Sequence, residues 1–193
     1  MKYLESFNYF KNINELSLKL KAYNINIDYW GIGDSKTVKH LFDELKYGDC
    51  FLKDEGGYLV RYIEFVGIKV FYKDKNGQLY LLKEDRQEFK DGRIRRRNLE
   101  SSVSEKIKSG EDVILSAIRG IKEELNLEIN KNQLKSEGVF DYNRGSVSYP
   151  GLKTVYKGHH FICYLNDEQY IPNGYIERQK DKSTFFIWTK VEK

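Results

Sequence analysis

The sequence has little cysteine and no long apolar run, and each absence excludes a class of protein. Its two cysteines, Cys50 and Cys163, lie far apart without CxxC spacing, which argues against a disulfide framework and against a structural zinc site. No apolar run approaches the roughly 18 residues of a membrane-spanning helix, so we expect no membrane partner. The opening residues, MKYLESFNYFKN, carry charges where a signal peptide is apolar, and we therefore expect a cytoplasmic protein.

An excess of charge of one sign is also missing. The 193 residues include 33 basic and 29 acidic ones, and the net charge of +4 is too small to indicate a nucleic-acid-binding protein by itself. There is no glycine-rich P-loop, no GxSxG and no HExxH, which argues against the nucleotide-binding and hydrolytic sites that use those motifs. His159 and His160 are adjacent on a predicted strand and so face opposite sides, which argues against a shared metal site.

The order of the predicted elements is strands, then one long helix, then strands, which indicates an α+β fold with a mixed sheet. Residues 13–22 alternate apolar and polar side chains and fit either a short helix or a strand. An apolar stripe predicts a helix over 36–46, which Asp34 or Ser35 could cap. We predict a helical extension over 1–48 and one domain over 49–193.

The predicted strands are bounded by turn signals. The sequence Asp74-Lys-Asn-Gly77 predicts a hairpin turn, and the glycine pair 56–57 predicts another turn. The long helix is predicted over 112–125. The strand candidates are 50–52, 58–65, 68–72, 78–83, 138–142, 154–165 and 184–189.

The long helix has an unusual pattern of charge. An apolar stripe, which we expect to be buried, comprises Ile114, Ala117, Ile118, Ile121 and Leu125. On the opposite side, residues 120, 123 and 124 share an arc of about 100°, because each residue turns the helix by about 100°. Two of these are glutamates, and neighbouring carboxylates suit a hard divalent cation. The plainer interpretation is a solvated face with an i, i+4 ion pair between residues 119 and 123.

The stretch Glu105–Leu127 resembles the Nudix box, a pattern usually written G-x5-E-x7-R-E-U-x-E-E-x-G-U with U aliphatic. Glu111, Arg119 and the pair Glu123-Glu124 match its charged positions, as Ile121 and Leu127 match its aliphatic ones. The resemblance covers roughly 62–193 and implies a Nudix-like α/β/α sandwich.

Three positions depart from this pattern. Glu105 stands where the opening glycine belongs, Gly120 replaces the glutamate after the arginine, and Asn126 replaces the late glycine. The last change is mild, because asparagine also tolerates the left-handed backbone. The loss of the glutamate at 120 is serious, because the family uses it as a principal metal ligand. A replacement carboxylate could come from Glu105, Glu168 or Glu177.

By resemblance, the protein binds Mg²⁺ or Mn²⁺ and hydrolyses a nucleoside diphosphate derivative. Glu123, Glu124 and the backbone carbonyl of Ser104 would bind the metal. Arg119 would orient the carboxylates, and Glu111 would pair with that arginine. These assignments are expectations drawn from the resemblance.

A basic segment precedes the Nudix box and contains Arg93, Arg95, Arg96 and Arg97. Arginine suits phosphate through its bidentate fork, so these residues could grip a polyphosphate or an RNA 5′ end. Alternatively, the segment is a solvated loop, or its arginines pair with Glu84, Asp85 and Glu88. Tyr142, Tyr149 and Tyr156 could form a wall on which a base stacks, although packing inside the protein is the more common role of tyrosine.

Two functions from different classes therefore follow from the sequence. One is a Nudix-type hydrolase that cleaves the diphosphate linkage of a nucleotide sugar, a dinucleoside polyphosphate or an RNA 5′ end with a divalent cation. The other is a catalytically inactive Nudix-fold module that binds a nucleotide or RNA. The paired glutamates favour the hydrolase, and Gly120 favours the binding module.

Overall fold

The structure is a computed structural model that describes residues 10–192, except for the side chain of Arg144. Residues 1–9, the start of the predicted extension, lie outside the described residues. Within the described part, the helices are α1 Ile13–Ala22, α2 Val38–Lys46 and α3 Val113–Leu125, with a short 3₁₀ helix at Lys131–Gln133. The strands are β1 Phe51–Glu55, β2 Tyr58–Lys73, β3 Leu79–Phe89, β4 Ile94–Arg95, β5 Val103–Lys106, β6 Leu134–Gly145, β7 Lys153–Leu165, β8 Tyr175–Arg178 and β9 Lys182–Lys190.

These elements confirm the α+β class. The hydrogen-bonded strand order is β6-β7-β2-β3-β9-β8, and β1, β4 and β5 add to it by pairing with β2, β3 and β2 respectively. The pairs β1–β2, β2–β3, β3–β9 and β8–β9 are antiparallel. None of the helices in the described part of the chain has the length and apolarity that a membrane span needs.

The chain divides into two compact units. Among the described residues, the first comprises 10–65, Lys106–Glu111 and Phe140–Gly158. The second comprises Val66–Glu105, Asp112–Val139 and the residues from His159 onward. The second unit contains β5 up to Glu105 and all of α3, and therefore the charged positions 119, 123 and 124. The boundary expected after residue 48 stays a prediction.

The first unit has its own apolar core. Leu16 and Leu20 of α1 pack with Leu41 and Leu45 of α2, and all four side chains are buried. Tyr149 is fully buried in the same core, with its ring centroid 5.0 Å from that of Trp30. For Tyr149 the packing interpretation is therefore correct, and a base cannot stack on it from solvent.

The start of α2 differs from the sequence prediction. Thr37 is the N-cap, and its side chain accepts from the backbone N–H of His40, whose ring in turn accepts from the N–H of Thr37. Ser35, one of the two caps expected, instead closes the preceding turn, where its hydroxyl accepts from the N–H groups of Gly31 and Ile32. A side chain that is engaged in a turn cannot also cap the helix.

The long strand β2 joins two predicted strands. Gly67 lies within it, and a Cβ built there would lie 2.6 Å from the Ser101 hydroxyl oxygen. Glycine inside a strand often marks such a close approach rather than a strand end. The predicted hairpin turn is confirmed, since Gly77 N–H donates to the Asp74 carbonyl at 2.9 Å. The short strand β8 was not predicted.

Candidate functional site

The helix α3 begins and ends where the sequence predicted. Asp112 is its N-cap, and the carboxylate accepts from the backbone N–H groups of Ile114 and Leu115 at 2.9 and 3.1 Å. Asn126 ends the helix in the left-handed conformation, with φ 55° and ψ 34°. This is the position where the Nudix box has glycine, so asparagine serves the same backbone role.

The buried face of α3 is wider than the apolar stripe suggested. Ala117, Ile121 and Leu125 are buried as expected, but Ile114 is 39% exposed. Gly120, which we expected on the solvent side, is buried because β5 lies against it. The arc opposite the stripe is therefore not a solvated face throughout.

Side chains of α3 contact both the backbone and a side chain of β5. The backbone N–H of Ser104 donates to Glu124 Oε1 at 3.2 Å. Arg119 Nη1 lies 3.0 Å from Glu105 Oε1 and 3.5 Å from Glu123 Oε2, so one guanidinium bridges carboxylates of both elements. The structure thus brings four of the predicted site residues and the candidate Glu105 into one neighbourhood.

A pocket of about 320 Å³ opens at this neighbourhood, within the second unit. Its lining carries five carboxylates and two cationic side chains, a formal excess of three negative charges if all are ionised. The charged residues are Glu84, Glu105, Glu123, Glu124, Glu177, Arg97 and Lys182. Ser104, Gln87, Gln179 and Thr184 supply further polar atoms.

An irregularity in β3 aims two of its side chains into this pocket. Glu84 pairs with Phe186 of β9 and Arg86 pairs with Phe185, so Asp85 is an extra residue that shifts the register. In a regular strand, residues 84 and 87 would face opposite sides, because successive side chains alternate. The bulge resets the alternation, so that both Glu84 and Gln87 line the pocket.

The pocket floor includes a row of side chains across three strands. Gln87 of β3 pairs with Thr184 of β9, which pairs with Glu177 of β8. Directly paired residues point to the same face of a sheet, and all three line the pocket. Thr184 is 1% exposed, and its hydroxyl oxygen has no hydrogen-bond partner. This hydroxyl is a spare polar group beside the carboxylates.

Arg97 forms the cationic wall of the pocket. Its Nε donates to Glu84 Oε1 at 2.8 Å and its Nη2 donates to Glu84 Oε2, so the pair is bidentate. With the Gln87 amide turned so that its oxygen faces the donors, it accepts from Arg97 at 3.0 Å and from Lys182 at 3.2 Å. A guanidinium has five N–H donors, so Arg97 retains donors for a ligand.

The other predicted arginines are not among the side chains that line the pocket. Arg93 pairs with Asp91 at 2.8 Å, and Arg96 pairs with Asp85. Arg95 is exposed on β4. Phosphate binding by these three arginines stays a prediction, whereas Arg97 combines an ion pair with a place in the pocket.

Glu124 has an unusual electrostatic environment. Burial and the neighbouring carboxylates of Glu177 and Glu105 raise its pKa to about 8, against the opposing effects of the Ser104 N–H and Arg97. A carboxylate surrounded by other carboxylates is costly to ionise unless a cation is close. A cation bound in the pocket would therefore favour the ionised form of Glu124.

Two predicted residues are not among the side chains that line the pocket. Glu111 belongs to the first unit, where its Oε2 accepts from the backbone N–H of Lys108 at 3.0 Å. Glu168 is exposed and is not among the side chains lining the pocket, so of the three replacement candidates the structure favours Glu105 and Glu177.

Sequence reasoning did not select several polar residues that line the pocket, among them Glu84, Gln87, Lys182 and Thr184. The residues 84 and 87 lie three apart, so the period-two pattern of a strand does not place them together. The other two lie on β9, about 100 residues further along the chain, and no local pattern marks them.

The lining chemistry fits a hard divalent cation. The pocket-lining residues carry carboxylate, hydroxyl and amide oxygens, and oxygen ligands are what Mg²⁺ and Mn²⁺ prefer. The Thr184 hydroxyl in this pocket has no hydrogen-bond partner. The Glu105 side chain occupies the space that Gly120 leaves open. In the conformation described for residues 10–192, no three His, Cys, Asp or Glu side chains already converge closely enough to hold a metal ion.

Comparison with solved structures finds Nudix proteins, at low sequence identity. A MutT/nudix family protein from Enterococcus faecalis is 15% identical with a TM-score of 0.45, over 68% of this chain and 44% of that one. An Ap4A hydrolase from C. elegans is 15% identical with a TM-score of 0.40, over 67% of this chain and 80% of that one. MERS1 from T. brucei, solved with RNA, is 12% identical with a TM-score of 0.43, over 67% and 51% of the two chains.

The matches include Nudix hydrolases, at identities of 13–15% and TM-scores of 0.37–0.45. The matched region spans less than half of the E. faecalis chain. No protein-family model matches the sequence, and no curated protein matches it. Scores this low say nothing of the substrate.

Proposed function

We propose that this protein hydrolyses the diphosphate linkage of a nucleoside diphosphate derivative with the help of Mg²⁺ or Mn²⁺. The observation that carries the proposal is the charge of the pocket. Even with Glu124 protonated, the pocket has four carboxylates against two cationic side chains, so a polyphosphate alone would be repelled while a polyphosphate with a divalent cation would be attracted. A bound divalent cation neutralises phosphate charge and makes water a stronger nucleophile.

The residues of this chain divide the remaining tasks. Glu123, Glu124, Glu105 and Glu177 are the carboxylates that would hold the cation. Arg97, oriented by its bidentate pair with Glu84, and Lys182 would bind phosphate oxygens on the other wall. Arg119 keeps the carboxylates of residues 105 and 123 together before a cation arrives.

The alternative function is a binding module without catalysis. Gly120 favours it, because this position carries a principal metal ligand in the Nudix box and glycine has no side chain. The ligands expected for both functions are the same: a nucleotide-type small molecule or an RNA 5′ end. The two functions therefore differ in turnover and not in binding.

Hydrolysis assays separate them. The substrates are dinucleoside polyphosphates, ADP-ribose, nucleoside triphosphates and capped RNA, each with Mg²⁺ or Mn²⁺, and products are separated by anion-exchange chromatography. We expect cleavage of at least one class, and Glu124→Gln should lower turnover at least about 100-fold, because a cation ligand is lost while the helix remains.

The matched control is Glu128→Gln, which removes an exposed carboxylate just beyond α3 that pairs with Lys122 outside the pocket. It should keep wild-type turnover. Binding of nucleotides without cleavage of any substrate would contradict the hydrolase and favour the binding module.

A further inference from the structure

The two strongest departures from the Nudix box involve residues that touch in space. Glu105 stands where the pattern has glycine, and Gly120 stands where it has glutamate. They lie fifteen residues apart, on β5 and α3. A Cβ built on Gly120 would lie 2.8 Å from the Cβ of Glu105 and 3.5 Å from its Cγ. The two side chains would therefore compete for one space, and the chain fills that space from the strand.

The carboxylate of Glu105 is directed to the same group of charges as the helix glutamates. It shares the Arg119 guanidinium with Glu123. It lines the pocket beside Glu124, and both elements are already joined there by the Ser104 N–H bond to Glu124. A carboxylate that reaches from the strand into the space left by Gly120 thus ends among the partners that a glutamate at 120 would have.

A second feature of the pocket points to a ligand independently of the acidic residues. The buried hydroxyl of Thr184 has no partner, although it lies on the pocket face between Gln87 and Glu177. Buried polar groups are rarely left without a partner unless a ligand or water completes them. The pocket therefore holds an unused oxygen as well as unpaired carboxylate charge.

We propose that Glu105 supplies, from β5, the cation-binding carboxylate that α3 lacks at Gly120. Relative to the Nudix box, the glycine and the glutamate have exchanged positions between β5 and α3. The pocket therefore keeps a carboxylate beside Glu123 and Glu124. The inference rests on the proposed function only in placing a divalent cation in this pocket, and it does not depend on the substrate.

The test measures Mn²⁺ binding by isothermal titration calorimetry, together with the rise in melting temperature that Mn²⁺ produces. Four forms of the full chain are compared: wild type, Glu105→Gln, the double variant Glu105→Gly with Gly120→Glu, and the control Glu128→Gln. Circular dichroism in EDTA checks that each form is folded. Glu105→Gln keeps the size of the side chain, so it does not create a cavity beside Gly120.

We expect Glu105→Gln to bind Mn²⁺ at least tenfold more weakly than the wild type and to lose most of the Mn²⁺-dependent rise in melting temperature. The double variant should recover wild-type affinity within about threefold, because it returns the glutamate to the helix and the glycine to the strand. The control should match the wild type. Recovery by the exchanged pair distinguishes cation binding from a merely structural contribution of the Glu105–Arg119 pair.

Equal Mn²⁺ affinity in wild type and Glu105→Gln would overturn the inference, as would a wild type that binds no Mn²⁺. If the double variant does not fold, the single variant still decides. Loss of Mn²⁺ binding in Glu105→Gln without hydrolysis of any substrate by the wild type would support the role of Glu105 and contradict the hydrolase. Conversely, the wild type could hydrolyse a substrate while Glu105→Gln keeps both this activity and the Mn²⁺ affinity. That result would support the hydrolase and contradict the role of Glu105.

Discussion

Single residues in this protein have roles that depend on which charges surround them. Arg97 and Arg95 belong to the same basic segment, but one is half buried beside Glu84 and the other is exposed. A charge-assisted hydrogen bond is stronger where water is excluded, so the two arginines should contribute unequally to the binding of phosphate.

Arg97→Ala should weaken the binding of ADP-ribose, with Mg²⁺ present, by about tenfold or more and should flatten its dependence on salt, whereas Arg95→Ala should change little. Calorimetric titrations at several salt concentrations measure both quantities. Because Arg97→Ala leaves the Glu84 carboxylate unpaired, Glu84→Gln is measured alongside it, to show how much of the loss comes from the broken pair. Equal loss in Arg95→Ala would contradict the special place of Arg97.

Glu44 is the centre of a buried ionic network in the first unit. Its carboxylate lies 2.7 Å from Lys36 Nζ and 3.1 Å from Lys106 Nζ, and it also pairs with Arg61. Burial alone would raise the pKa of Glu44, but the charges of Arg61, Lys106 and Lys36 outweigh it and lower the pKa to about 2. The network is therefore ionised under all ordinary conditions.

Glu44→Gln should reduce the free energy of unfolding at pH 7 by roughly 3 kcal/mol, because it leaves the buried Arg61 guanidinium without its partner carboxylate. The folded pKa lies below the usual 4.5, so the stability due to this group is complete above about pH 4.5 and is lost as the pH falls toward 2. Urea denaturation between pH 7 and pH 3 should show the difference between variant and wild type narrowing below pH 4.5. Asp43→Asn, at a partly exposed carboxylate on the same helix that pairs with Lys39, is the control and should show little effect. A difference that stays constant over this range would contradict the assignment.

At the scale of elements, α3 depends on its two ends as much as on its buried face. Asp112 satisfies two backbone N–H groups at the start, and Asn126 turns the chain at the end through a left-handed conformation. Residues 123 and 124 occupy the last turn, so the geometry of the carboxylates depends on where the helix stops. The cap at 126 is therefore part of what positions the site.

Asn126→Gly should leave the free energy of unfolding unchanged or raise it slightly, because glycine adopts a positive φ without steric cost. Asn126→Val should lower it by roughly 1–2 kcal/mol, since a β-branched side chain is strained at φ 55°. Urea denaturation of both variants measures the difference. Equal stability of the glycine and valine variants would show that the backbone at 126 is not left-handed in solution.

At the scale of the whole molecule, net charge and local charge have opposite signs. The chain carries +4 overall, yet the pocket lining has an excess of carboxylates. The long-range field of a positive protein attracts polyphosphates, while the pocket itself repels them at short range. Divalent cations should therefore control binding at the pocket more than the net charge does.

Binding of ADP-ribose should weaken at least about tenfold when Mg²⁺ is replaced by EDTA, because the carboxylates are then not neutralised. Adenosine, which has no phosphate, should show no such change and serves as the matched ligand. Calorimetric titration of both ligands in both buffers makes the comparison. Binding of ADP-ribose that is equally tight without Mg²⁺ would place the phosphates away from the carboxylates.

The features that depend on residues close together in the chain could be predicted from the sequence. The bounds of α3 follow from Asp112, the apolar period and Asn126, which all act within a few residues of one another. The hairpin after β2 follows from the turn at Asp74–Gly77. The resemblance to the Nudix box also lies within one continuous stretch, so it needed no knowledge of the fold.

Only the tertiary structure decided how Gly120 and the pocket are arranged. A helical wheel placed Gly120 toward solvent, because it takes no account of β5, which packs against that side. The bulge at Asp85 and the pairing of β3, β8 and β9 bring Glu84, Thr184 and Glu177 to one pocket from distant parts of the chain. Contacts between strands far apart in sequence depend on register, and register is set by the packing of the whole sheet rather than by neighbouring residues.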